Sequence, residues 1–330
     1  MTVLTMVAID DITLAASRLC GIAVRTPLIP YPHQQPGREL YLKPESLQPI
    51  GSFKLRGAYN KIASLADAER RNGVISYSSG NHAQGVAYAA RALGVKAVIV
   101  MPANAPQIKI DSTRALGAEV VFVGPASSER KARAEDLARE HGYAIIPPYN
   151  DEKIIAGAGT AGLEILADLP DADLVLVPVG GGGLISGIAS AFKLSGSHAK
   201  VIGVEPELAS DAQASFRSGR IVEFSADQTS RTLADGLRTQ SVGEINFDHI
   251  RRFVDDIVTV SESEILAAIR TLALDAKLVA EPSGAVTFAA FRFRAGKLPP
   301  ARKTVAVISG GNIDPALLAG VLSQTASALE

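Results

Sequence analysis

Short runs of consecutive apolar residues alternate along the chain with stretches whose apolar residues recur at helical spacing. The runs predict strands at 39–43, 74–78, 97–101, 119–123, 143–146, 174–179, 201–205 and 304–309. The helical spacing predicts helices near 54–65, 82–93, 107–116, 127–141, 153–168, 184–195, 261–276, 282–294 and 314–322. The strands are apolar throughout rather than at alternate positions, as strands covered on both faces are. Strand and helix in regular alternation imply an α/β fold with parallel sheets. Within 73–150 two units end alike, in Ala92-Leu93-Gly94-Val95 and Ala115-Leu116-Gly117-Ala118, with the glycine where a helix stops and a strand begins. Four of the predicted strands fall in this block, and Pro147-Pro148 marks its exit. We therefore expect a small domain at 73–150, set into a large domain of 1–65 and 151–330.

Composition narrows the class. The 330 residues are 47% hydrophobic with a net charge of −1, and no basic tract interrupts them. Nucleic acid and anionic membranes are not expected partners. A single cysteine, Cys20, excludes an intrachain disulfide and fits a reducing cytoplasm. Asp10 and Asp11 occupy the place of a basic leader region, so no signal peptide is expected. Leu174 to Phe192 is 19 residues without a charge, close to a membrane span in length. Pro178 and five glycines interrupt it, so strand, glycine loop and helix describe it better.

Candidate chemistry begins at Gly51-Ser52-Phe53-Lys54-Leu55-Arg56-Gly57. From Lys54 onward Leu55, Ala58, Tyr59, Ile62 and Leu65 follow helical spacing, so Ser52 is the expected N-cap and Lys54 lies in the first turn. The positive end of a helix dipole disfavours an ammonium. The same place suits an amine that must lose its proton and attack a carbonyl. A solvated lysine beside a loop is the plain alternative. Gly180 to Gly183 follow a predicted strand and precede a helix, where bare backbone amides form an anion site, most simply for phosphate. The run is neither a P-loop nor a dinucleotide fingerprint. A flexible loop is the alternative, but four glycines cost backbone entropy that a turn does not require. Ser78-Ser79-Gly80-Asn81-His82 repeats the strand, loop and helix arrangement with hydroxyl and amide groups suited to a carboxylate. Taken alone, its serines and asparagine are ordinary caps and His82 is an ordinary core histidine. Ser309-Gly310-Gly311-Asn312 follows the last strand, where open α/β sheets bind ligands. A Schiff-base lysine, a phosphate cup and polar strand-end loops are what pyridoxal 5′-phosphate requires.

With these motifs the chain resembles the pyridoxal-phosphate enzymes of the serine racemase and threonine dehydratase family. The matching segments are Lys43-Pro44-Glu45, Gly51 to Ala58, Ser79-Gly80-Asn81-His82-Ala83-Gln84-Gly85, Gly180–Gly183 and Ser309 to Asn312, in family order over nearly all of 10–320. The resemblance implies the fold type II, tryptophan synthase β-like arrangement: two parallel-sheet α/β domains with the cofactor between them, in a homodimer. It implies Lys54 as the cofactor-bearing lysine and base, with Phe53 and Asn81 at the cofactor ring, Gly180, Gly181, Gly182 and Gly183 at the phosphate and Ser309 at the pyridine nitrogen. Ser78, Ser79, Gly80, Asn81 and His82 would take the substrate carboxylate, with Arg130 and Asp235 on the substrate side. Ser79 matches the serine with which serine racemases work from the opposite face, where typical threonine dehydratases carry alanine. Glu205, Asp211 and the Ala209 carbonyl match a divalent-cation site for Mg²⁺ or Ca²⁺; two acids at a helix start are the alternative. Gln84, Asn150 and Lys277 match parts of a nucleotide effector site, but Asp275 replaces a basic residue there, so ATP control is not expected. The chain ends soon after its last core elements, so isoleucine feedback through an added domain is not expected either. The implied activity is β-elimination from serine, threonine or 3-hydroxyaspartate, giving a keto acid and ammonia, with amino-acid racemisation as the alternative.

Overall fold

The computed structural model describes residues 6–78, 80–105, 107–124 and 127–323. Its ten strands are β1 (Ile29–Pro30), β2 (Glu39–Pro44), β3 (Val74–Tyr77), β4 (Ala97–Pro102), β5 (Glu119–Val123), β6 (Ala144–Ile145), β7 (Leu174–Pro178), β8 (Lys200–Pro206), β9 (Asp256–Val260) and β10 (Lys303–Ile308). They form two sheets, one in the order β1-β2-β10-β7-β8-β9 and one in the order β5-β4-β3-β6. Every pairing is parallel except β1 with β2. The expected α/β class with parallel sheets is therefore what the chain adopts.

Helices α1 (Ile9–Leu19), α2 (Lys54–Ala63) and α3 (Asp67–Asn72) precede the four-stranded sheet, and α4 (Asn81–Ala92), α5 (Gln107–Ala115) and α6 (Ser127–His141) are wound into it. The larger sheet carries α7 (Glu152–Asp168), α8 (Gly183–Leu194), α9 (Asp211–Ser218), α10 (Ala226–Thr229), α11 (Glu244–Phe253), α12 (Glu262–Leu274), α13 (Pro282–Phe293) and α14 (Pro315–Ser323). The pleat explains the continuous apolar runs. Leu174, Leu176, Ala306 and Ile308 pack into one core layer with Ala268 and Phe288, whereas Val175, Val177, Val305 and Val307 pack into the other with Ile185 and Ile188. Each face of the sheet is thus roofed by helices, and each buried Val, Leu or Ile contributes about 1.5–3 kcal/mol.

The helix α2 sits between the two sheets. Leu55, Ala58, Tyr59 and Ile62 join a core with Ala83 and Val86 of α4 and Ile99 and Met101 of β4. Its Arg56 is turned the other way and is 1% exposed. The predicted elements recur with ends that differ by at most two residues. Missed were β1, β9, α1, α3, α9, α10 and α11. Among the described residues no helix is long and apolar enough to cross a membrane. Leu174 to Phe192 divides into β7, the glycine loop and α8 as expected.

Candidate active site

Three neighbouring parallel strands deliver three of the expected loops to one edge. The Lys54 loop follows β2, the Ser309 loop follows β10 and the glycine loop follows β7, and β10 lies between the other two. Backbone bonds stitch the first two together: Phe53 N–H donates to the Ser309 carbonyl at 3.0 Å and Gly311 N–H to the Gly51 carbonyl at 2.9 Å. This tertiary pairing corrects the expected cap. Ser52 forms a β-bridge with Gly310, and its buried hydroxyl has no partner among the described residues. Phe53 precedes the first helical residue instead, with no side-chain cap.

These loops and the start of α4 border a cleft of about 540 Å³. Lys54 lies on its wall. Its Nζ donates to the Pro148 carbonyl at 2.7 Å and stands 5.2 Å from the centre of the Phe53 ring. Burial lowers its pKa to about 8. No carboxylate is bonded to it among the described residues, so neutral amine is within reach near physiological pH.

The glycine loop fits a phosphate. Gly182 has φ +95°, a left-handed setting that glycine adopts without strain, and it precedes the first turn of α8. A Cβ at Gly181 would lie 2.3 Å from the Tyr149 ring, so no side chain fits there. The loop backbone is fixed from behind, where Gly243 N–H donates to the Gly181 carbonyl at 3.1 Å. Ser309 is 4% exposed and its hydroxyl lies 3.5 Å from the Ser283 carbonyl. Lysine, glycine cradle and serine on one edge are a donor set that accommodates pyridoxal phosphate.

Asn81, at the start of α4, is held by two residues from the larger sheet's body. Its amide donates to Glu281 Oε1 at 2.6 Å, and its oxygen accepts from the Asn312 amide at 2.8 Å. Glu281 is 4% exposed, and burial, then Asp235, raise its carboxyl to about 7. The sequence reading did not find Glu281; its signal was an acid directly before Pro282 at a helix start. Tyr149 was missed too. Burial above all, then the charges of Tyr77 and Asp211, push its phenol up to about 12.

The remaining expected residues divide. Ser78, Gly80, Arg130 and Asp235 border the cleft. The Ser78 hydroxyl accepts from Gly80 N–H at 3.3 Å. Burial lowers the Arg130 guanidinium. Asp235 is paired at 2.6 Å with Lys109 of α5, across the mouth of the cleft. His82, in the first turn of α4, borders the cleft as well. Its Nε2 lies 3.0 Å from the Ile146 carbonyl, and burial, then Lys54, lower its pKa to about 3. Ser79 lies outside the described residues.

Glu205 at the end of β8 and Asp211 at the start of α9 are both fully buried, as is Ala209. The Glu205 carboxylate accepts from Ala212 and Gln213 N–H at 3.0 and 2.8 Å. Both Asp211 oxygens lack a partner among the described residues. Burial, then Asp211, raise the Glu205 carboxyl well above its usual range, and burial raises Asp211 to about 7. Two acids and a carbonyl form a smaller set than three acidic, histidine or cysteine ligands, of which the described residues hold no group.

The comparisons with known proteins agree with this geometry. Residues 21–310 match the family model for "Pyridoxal-phosphate dependent enzyme". The chain is 46% identical over 313 residues to the catabolic L-threonine dehydratase TdcB of Escherichia coli (strain K12), covering 93% of this chain and 94% of that one. It is 40% identical over 315 residues to the L-threo-3-hydroxyaspartate ammonia-lyase of Saccharomyces cerevisiae, covering 95% of each. Among solved structures, maize serine racemase superposes with a TM-score of 0.91 at 34% identity, over 96% of this chain and 97% of that one. The chain belongs to the pyridoxal-phosphate dependent enzyme family.

Proposed function

We propose that the protein is a pyridoxal-phosphate-dependent ammonia-lyase. It converts a β-hydroxy amino acid (L-threonine, L-serine or 3-hydroxyaspartate) to a keto acid and ammonia by β-elimination. The observation that carries this is Lys54, an amine with no carboxylate partner among the described residues, lining one cleft with the glycine cradle and Ser309. Similarity to a threonine dehydratase and a 3-hydroxyaspartate ammonia-lyase supports the same reading.

Phe53, Asn81, Gly180–Gly183 and Ser309 would hold the cofactor, with Lys54 as its covalent anchor. Bound there, pyridoxal phosphate supplies an electron sink that acidifies the substrate's α-C–H. Lys54 Nζ takes the α-proton. A pKa near 8 keeps an appreciable share of it neutral, and the Pro148 carbonyl holds it against the cleft wall. The amides at the start of α4 and the Ser78 hydroxyl receive the substrate carboxylate, with Arg130 and Asp235 beside the β-substituent. The β-hydroxyl takes up a proton as its C–O bond breaks and leaves as water, balanced overall by the α-proton that Lys54 removed, and the enamine takes up water to give keto acid and ammonia. Keto-acid release from purified protein is the test; undiminished release from Lys54→Ala would sink this mechanism.

Ser79 favours a second reading, amino-acid racemisation, because inversion requires a second proton donor on the opposite face. Similarity to a serine racemase supports it. Chiral chromatography decides: Ser79→Ala should abolish inversion and leave elimination of the L-isomer. The orphaned Asp211 oxygens support Mg²⁺ or Ca²⁺ held by Glu205, Asp211 and the Ala209 carbonyl. Division into 1–65 with 151–330 and 73–150, closure of the smaller part on substrate, a homodimer and a cytoplasmic location complete the proposal.

A further inference from the structure

The segment Lys43-Pro44-Glu45 and the residue Arg56 have no part in the chemistry above, yet they are among the most deeply buried charges of the chain. Lys43 and Glu45 are 0% exposed and Arg56 is 1% exposed. The Arg56 guanidinium makes six hydrogen bonds among the described residues. Nε and one terminal nitrogen reach the two Glu45 oxygens at 2.7 and 2.8 Å. Both terminal nitrogens reach the two Glu164 oxygens at 2.6 and 2.8 Å. Thr160 Oγ1 at 3.0 Å and the Val24 carbonyl at 3.3 Å complete the set. Lys43 Nζ donates to Glu164 at 2.5 Å and to the Thr26 carbonyl at 2.7 Å. Two cations thus meet two carboxylates.

Such a cluster is a poor means of raising stability, because desolvating four charges offsets most of their mutual attraction. What it supplies is direction. A guanidinium clamped by two carboxylates has one orientation, which neither an ammonium nor an apolar side chain reproduces. The place of the clamp gives that direction a use. Arg56 follows Lys54 by two residues at the start of α2, about 200° around the helix, so one faces the cleft and the other faces away from it. The apolar face of α2 packs with the smaller sheet. Arg56 instead grips Glu45, just beyond β2, and Glu164 on α7, both part of the body that carries the glycine loop and Ser309.

We propose that Arg56 is a positioning residue: its double carboxylate fork holds the first turn of α2 to the larger sheet's body and keeps the Lys54 amine in register with the glycine cradle and Ser309. The proposal rests on Lys54 being the cofactor lysine.

The experiment compares Arg56→Lys, Glu164→Gln and Lys43→Met in the full chain. Lys43→Met removes a charge from the same cluster but leaves both forks. Thermal unfolding of cofactor-free protein gives the stability loss. Pyridoxal phosphate titration by absorbance gives affinity, and borohydride trapping with mass spectrometry gives the fraction of Lys54 joined to cofactor. The expected result is a loss of cofactor affinity of at least about tenfold for Arg56→Lys and several-fold for Glu164→Gln, with kcat falling more than substrate KM rises. Lys43→Met, at a similar stability loss, should keep affinity within about twofold. If Arg56→Lys does not fold, Glu164→Gln against Lys43→Met decides alone. Affinity that merely follows stability across the variants, or trapping of Lys54 unchanged in Arg56→Lys and Glu164→Gln, overturns the proposal. Failure to trap Lys54 in the unmodified protein overturns the cofactor assignment instead.

Discussion

Two groups of buried charge lie on the body built around the larger sheet, and they are built oppositely. Behind Lys54, Arg56 and Lys43 face Glu45 and Glu164, and the four charges are hydrogen-bonded to one another. Burial alone would raise the Glu45 carboxyl, but Arg56 and Lys43 pull it below its usual range. At the end of β8, Glu205 and Asp211 face each other with no cation among the described residues, and both carboxyls are pushed up. The first group is self-sufficient and fixes geometry. The second has oxygens left over, and a bound cation would use them. Lys54 is an intermediate case. Lys43 is fully buried and bonded to Glu164, whereas Lys54 is half-buried on the cleft wall and, among the described residues, is bonded to a carbonyl and to no carboxylate, as its proposed role as a base requires.

The contrast predicts unequal responses to change. Arg56→Met should be the most damaging, because it takes from the fully buried Glu45 the cation bonded to it and leaves the half-buried Glu164 to Lys43; we expect a loss of about 3–5 kcal/mol in urea unfolding. For the acid pair, Mg²⁺ or Ca²⁺ should raise the unfolding temperature of EDTA-treated protein, equivalent to about 2–3 kcal/mol at a hundredfold excess over Kd. Asp211→Asn should abolish that response, whereas Lys43→Met should retain it. Lys54 should show itself through pH. Its pKa is depressed, so the reactive neutral amine increases as pH rises. Stopped-flow absorbance should find cofactor uptake rising about tenfold per unit below about pH 8 and levelling above it. The smallest effect belongs to Lys109–Asp235, an ion pair open to solvent. Lys109→Ala should cost at most about 1 kcal/mol in stability and raise substrate KM a few-fold, a difference that added salt erases.

Much of the site was legible because it consists of short local signals. Each of the lysine, serine and glycine loops follows an apolar run, and its chemistry is written in consecutive residues. Strand order was not legible: that β10 lies between β2 and β7 depends on pairings between segments far apart in sequence. Ser52 shows the cost, since its local pattern is that of a cap and its position is decided by Gly310. Glu281 acquires meaning only through Asn81, 200 residues away, and Arg56 through Glu164, 108 residues away. The helix α11 and strand β9 escaped notice because Glu244 to Val260 mixes charged and apolar residues too evenly for either period to dominate.

The most direct test is keto-acid release by the purified protein and by Lys54→Ala, side by side, on L-threonine, L-serine and 3-hydroxyaspartate. The expected result is turnover of at least one of these by the unmodified protein and a loss of at least about a thousandfold in Lys54→Ala, with the fold intact by circular dichroism. Equal turnover by both proteins, or none by cofactor-loaded unmodified protein on any of the three, would contradict the assignment of Lys54 as the base of a β-elimination.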